Sequence, residues 1–144
     1  MSGGDLGCIL RLKGDGINLE GIYDTRLATI LSGRSANSLF DVVLRHLPTG
    51  EEKALVADSG WGSCAIEPTA SDGFSEIIWR QSTDARLGKL SVAARAISDD
   101  NSEIRWTLTV GDVPADWSVL RVRFPRVSVD ERGVRPLVLF PRGS

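Results

Sequence analysis

Between positions 104 and 110 the chain alternates without a break. Ile104, Trp106, Leu108 and Val110 hold one parity, while Arg105, Thr107 and Thr109 hold the other. A period of two sends successive side chains to opposite faces, so this segment is a strand with one face buried and one in water. After a loop carrying Gly111 and Pro114 the pattern resumes, with Leu120, Val122 and Phe124 on one parity and Val119, Arg121 and Arg123 on the other. The two runs together predict Ile104, Trp106, Leu108, Leu120, Val122 and Phe124 in one core, and Arg105, Arg121 and Arg123 facing solvent. Pro125 shifts the phase, so that Val127 and Val129 become the inward pair. Proline has no N–H for a ladder bond, which predicts a bulge or an edge bend at that point.

The rest of the chain reads the same way. Residues 6–12 form a strand ending at the turn Lys13-Gly14-Asp15-Gly16, and residues 17–23 form the next, with Ile17, Leu19 and Tyr23 inward. Residues 39–47 are apolar on both parities, as a strand covered on two faces should be. Further strands are expected at 54–57, 64–67, 74–79, 90–97 and 137–140, and a polar turn at 98–103. Helix is confined to a short turn around 26–31, stopped by Gly33. The fold class is therefore all-β, an antiparallel sandwich with little helix. A chain of 144 residues, 42% hydrophobic and 25% charged, is sized and composed for one domain over 1–144 that needs no disulfide staple. At its ends, Met1-Ser2-Gly3-Gly4 has the look of a vector leader, and Pro141-Arg142-Gly143-Ser144 reads equally as the remnant of a cleavable tag linker or as native sequence stopped in mid-domain.

Charge and residue inventory exclude several kinds of chemistry. A net charge of −2, from 17 basic and 19 acidic residues mixed along the chain, offers no basic stripe, so no nucleic-acid partner is expected. No apolar run is long enough to span a bilayer and the N-terminus has no leader pattern, so no membrane partner is expected and the compartment is left unassigned. Cys8 and Cys64 are the only cysteines and His46 the only histidine, which together cannot furnish a tetrahedral zinc set; no metal and no cofactor is expected. Both thiols read as small core residues, and His46, on an apolar strand, as a hydrogen-bonded structural imidazole. No Gly-x-Ser-x-Gly elbow occurs, and the clusters Gly14-Asp15-Gly16 and Gly60-Trp61-Gly62-Ser63 lack the strand–loop–helix context of a phosphate cradle. Among Asp58, Glu67, Glu76, Asp84, Asp99 and Asp100 nothing selects a catalytic carboxylate pair. No catalytic residue is assigned, and the isolated chain is not expected to be an enzyme.

The four tryptophans carry more information. Trp106 and Trp79 sit on apolar parities and read as core. Trp61, between two glycines, and Trp117, just after a loop, are the expected surface rings. Aromatic faces stack against sugar C–H groups, so Trp61 and Trp117 are the candidate carbohydrate-binding residues.

The sequence IRWTLTVGDVPADWSVLRVRFPRVSV, followed by VRPLVLFPRGS, together with the early LRLKGDGINLEGIYD at 10–24, resembles the N-terminal β-supersandwich domains of certain large bacterial glycoside hydrolases and their uncharacterised relatives. The resemblance covers about positions 8–144 and implies the front part of such a sandwich. In that family the catalytic carboxylates lie in a following barrel, so no catalytic residue is carried over. What it implies is a non-catalytic accessory or scaffold domain of a glycan-processing enzyme. The alternatives are a stand-alone carbohydrate-binding module and a self-associating structural domain. A sandwich cut short would leave residues 137–140 at an open sheet edge, and a homo-oligomer joined through that edge is expected.

Overall fold

The computed structural model describes residues 6–13, 16–24, 29–30, 38–68, 75–98 and 104–126. The described residues form ten strands, paired antiparallel throughout, in three sheets. β1 (Leu6–Lys13), β2 (Gly16–Asp24) and β3 (Thr29–Ile30) form one sheet in that order. β4 (Asp41–His46), β5 (Glu52–Val56) and β10 (Trp117–Arg123) form a second, with β4 in the middle. β6 (Trp61–Pro68), β7 (Ser75–Ser82), β8 (Ser91–Ser98) and β9 (Ile104–Gly111) form a four-stranded meander in chain order. This is the all-β antiparallel sandwich that the alternation predicts. A single 3-10 turn, Ala85–Leu87, sits between β7 and β8, with the Asp84 side chain accepting from the Arg86 N–H at its start.

One core joins the sheets. Ile77, Trp79, Val92 and Ala94 cover the inner face of the meander, while Val42, Leu44 and Leu55 face them from the second sheet and Ile17 enters from the first. Phe40 packs edge-on against Trp79 at 4.9 Å and Trp61 at 6.1 Å between ring centres, a geometry that suits the ring quadrupoles. Val42, Val43 and Leu44 are all buried, so both faces of β4 are covered, as its two-parity apolar run predicts. Polar atoms at the centre are bonded. The Ala57 carbonyl accepts from the Ile17 N–H at 3.1 Å and from Trp79 Nε1 at 2.8 Å, and the Ala57 N–H donates to Ser38 Oγ at 2.6 Å.

The two alternating runs behave differently. β9 follows the pattern, with Ile104, Trp106, Leu108 and Val110 half-buried and Arg105, Thr107 and Thr109 exposed. On β10, Arg121 and Arg123 are exposed as expected and Phe124 packs inward on Trp106 at 5.7 Å. Leu120 and Val122 are not in the core: they are 46% and 45% exposed. A register shift between Val119 and Arg121 leaves Leu120 without a partner on β4, whereas Val122 pairs with the buried Val42 and is exposed on a strand that, among the described residues, has a neighbour on one side alone. A bulge adds one residue to a strand and breaks the parity beyond it. The expected bend at Pro125 is realised as the end of β10 at Arg123, while the bulge falls earlier.

Other expectations resolve individually. Thr29 and Ile30 form a strand, not part of a helical turn, because they pair with Asp24 and Tyr23. The remainder of that proposed turn, the strand at 137–140, Val127, Val129 and most of the turn at 98–103 lie outside the described residues, as do the side chains of Cys8, Leu19 and Tyr23. Cys64 is half-buried and packs against the core.

Candidate functional site

Trp61 and Trp117 are not surface rings; they are 2% and 4% exposed. Trp61 follows a tight turn, closed by a bridge between Val56 and Ser59 with Gly60 at φ +86°, which folds the ring inward so that its Nε1 donates to the Val56 carbonyl at 2.7 Å. Trp117 opens β10 from another turn, its N–H bonded to the Pro114 carbonyl at 2.9 Å. Its ring lies 4.9 Å from the His46 ring and 5.3 Å from the Arg86 guanidinium carbon. Stacking a sugar needs an uncovered ring face, and neither indole has one. The arginines do not converge either, for Arg105 stands on β9 of one sheet while Arg121 and Arg123 stand on β10 of another.

The ion pairs around Trp117 are structural. Arg86 makes two bonds to Glu51, at 2.8 and 3.0 Å, and reaches Asp84 at 3.1 Å, tying the 3-10 turn to the connection between β4 and β5. These bonds hold the Glu51 carboxyl below the usual carboxylate range, the Arg86 side chain being the main cause. Asp84 is lowered to about 2, first by the Arg86 side chain and then by its backbone N–H. Arg86 is raised above its ordinary range by Glu51 first and Asp84 second. His46 is hydrogen-bonded on both ring nitrogens, Nδ1 to Thr49 Oγ1 at 2.7 Å and Nε2 to Asp116 at 3.1 Å. The imidazole joins the hairpin after β4 to the loop before β10, the structural part expected of it.

An open cleft of about 580 Å³ lies on the outer face of the meander, where β7 ends and β8 begins. Its floor is the cross-strand pair Ile78 and Ala93, with Arg80 and Ser91 as the next pair along. These four point away from the core because Ile77, Trp79, Val92 and Ala94 hold the opposite parity. Gln81, Gly88, Lys89 and Asp112 complete the lining. Gln81 and Asp112 are the non-glycine residues with positive φ among the described residues, at 60° and 54°. The left-handed conformation costs an ordinary side chain such as Gln81 about 1–2 kcal/mol, whereas Asp tolerates it, and strained outliers gather at functional sites. Here both line one cleft. Gln81 packs over Gly62 on β6, where a Cβ would come within 3.1 Å of the Gln81 side chain.

The polar groups of the cleft keep hydrogen-bonding capacity that their protein partners do not use. Arg80 gives one nitrogen to Glu67 at 2.8 Å, which leaves the other donors of its guanidinium fork. Ser91 Oγ lies 3.3 Å from Asp112 Oδ2, so the Asp112 carboxylate keeps further acceptor capacity. A second cavity of about 490 Å³ shares Gly88, Lys89 and Asp112 with the first and continues over Ala85, Val113 and Pro114. Sequence reading missed Gln81, Lys89, Ser91 and Asp112. Only Asp112 left a signal, since a Gly-Asp pair closing an alternating run marks a turn in which Asp tolerates the left-handed region. Among the described residues no group of His, Cys, Asp and Glu could hold a metal ion. No protein-family model, curated protein or solved structure matches this chain. The likeness to supersandwich domains therefore rests on the sequence motifs alone.

Proposed function

We propose that this chain is a non-catalytic β-sandwich module that binds a carbohydrate through the cleft at the end of the meander, as an accessory domain of a glycan-processing enzyme. The observation that carries the reading is the convergence of two left-handed side chains, Gln81 and Asp112, on one open cleft. Sugar hydroxyls need donors and acceptors together. Asp112 accepts, Lys89 donates and Gln81 does both, over an apolar floor of Ile78 and Ala93 suited to ring C–H groups. The site binds by hydrogen bonding, in place of the aromatic stacking expected from Trp61 and Trp117. Titration calorimetry against a glycan panel tests this. Binding that is lost in Asp112→Gly, with an unchanged melting curve, is the expected result. No heat from any glycan overturns the reading.

A second reading, self-association, has its own observation. Val119, Leu120 and Val122 are 42%, 46% and 45% exposed on β10, which among the described residues pairs only with β4. An apolar strand edge invites a further strand. Light scattering on a size-exclusion column tests it, with a concentration-dependent dimer expected. A monomer at high micromolar concentration removes it.

A further inference from the structure

We infer, resting on the carbohydrate reading above, that the ligand is an acidic oligosaccharide at least two units long, laid across both cavities with a carboxylate on Lys89. The two cavities, about 580 and 490 Å³, each fall in the range of a small-molecule site. They meet at Gly88, Lys89 and Asp112. A single sugar is accommodated within one of them, whereas a chain passes from one to the other over the Lys89–Asp112 junction. The second cavity adds small, largely apolar surfaces, Ala85, Val113 and Pro114, that suit the carbon face of a second ring.

Charge selects the kind of chain. Three cations line the two cavities. Arg80 is paired with Glu67, and Arg86 is held by Glu51 and Asp84. Lys89 forms no ion pair among the described residues, and it stands at the junction. An ammonium with three donors and no protein carboxylate is set to receive one from the ligand. Asp112, partly engaged by Ser91, then accepts from neighbouring hydroxyls. A uronic acid unit carries both groups on one ring.

Calorimetry with galacturonic acid, its dimer and its tetramer, beside the neutral maltotetraose, tests the inference at low and high salt. The acidic tetramer is expected to bind at least about tenfold more tightly than the monomer. Lys89→Ala should lower tetramer affinity about tenfold, the scale of one charge-assisted hydrogen bond, and remove most of the salt dependence; Lys89→Arg should restore it. Ala85→Trp fills the second cavity and should bring the tetramer down to about the affinity of the monomer for the same variant. Ala85 and Lys89 are both exposed, so the melting curves should not move. Equal affinity for monomer and tetramer overturns the chain and leaves the carbohydrate reading standing. Maltotetraose binding as tightly as the acidic tetramer, indifferent to salt and to Lys89→Ala, overturns the acidic assignment alone. No binding by either series removes the carbohydrate reading itself.

Discussion

β9 and β10 carry the same kind of alternation in sequence and do opposite things with it. On β9 every second residue from Ile104 to Val110 turns toward the core, and the intervening Arg105, Thr107 and Thr109 stay wet. On β10 only Trp117 is buried, and the apolar parity through Leu120 and Val122 is as exposed as the arginines beside it. β9 continues an unbroken ladder with β8 from Ser91–Gly111 to Ser98–Ile104, whereas the ladder between β10 and β4 skips Leu120. Alternation thus separates two faces of a strand but does not say that either is covered. Coverage depends on what packs opposite, and parity survives only as far as the register does.

The largest effect that tests this contrast is at the one place where β10 is rooted. Trp117→Ala should cost about 3–5 kcal/mol, because it removes a buried indole on which the His46 ring and Arg86 both pack. Urea melts measure it, and a loss below about 1 kcal/mol would mean that β10 is an ornament on the sandwich. Next comes a matched pair. Leu108→Ala on β9 should cost about 2 kcal/mol, while Leu120→Ala on β10 should stay within about 0.5 kcal/mol. Equal losses would break the comparison and restore the single core that the sequence predicts.

The third test concerns the ion pairs at the foot of β10. Asp84 titrates lower in the folded chain, near 2, than the usual 3.8. A depressed carboxyl contributes stability that is present above its unfolded value and is lost as pH falls through the folded one. Stability should therefore decline between about pH 4 and pH 2, and the decline should be shallower in Asp84→Asn. Acid melts of both proteins check this, and parallel curves would show that Asp84 contributes nothing. The smallest effect lies in the regular sheet, at Gln81, the strand residue with a left-handed side chain among those described. Gln81→Gly relieves a left-handed side chain at some entropic cost, so it should change stability by no more than about 1 kcal/mol, toward greater stability. A clear loss would mean that the Gln81 side chain is packed for structure, not poised for a ligand.

Sequence legibility follows the same division. The strands were readable because period two is written locally, residue by residue, and β4 betrayed its two covered faces by apolar residues on both parities. The burial of Trp61 and Trp117 was not readable. It depends on a glycine turn closing over one ring and on His46 and Arg86, remote in sequence, meeting the other. The cleft was harder still. A dihedral angle at Gln81 leaves no trace in composition, and Lys89 gains its interest only from where Arg80 and Arg86 find their partners. Alternation records burial; it does not record vacancies between charges.

The packing at Gly16 has a consequence for how relatives of this chain would be recognised. A Cβ at that position would press into the Ala57 carbonyl oxygen and the Asp58 Cα, and that same carbonyl receives the Ile17 amide and the Trp79 indole. Two sheets are thus pinned at one atom of the turn that follows β5, with no room for a larger residue at position 16. In a saturation library selected for folding, column 16 should hold glycine alone, while the exposed positions of β10 drift freely. A divergent lineage would keep Gly16 and Trp79 long after its surface strands had become unrecognisable, because any residue at 57 supplies the carbonyl between them, and that spacing is the signature by which distant kin could be found.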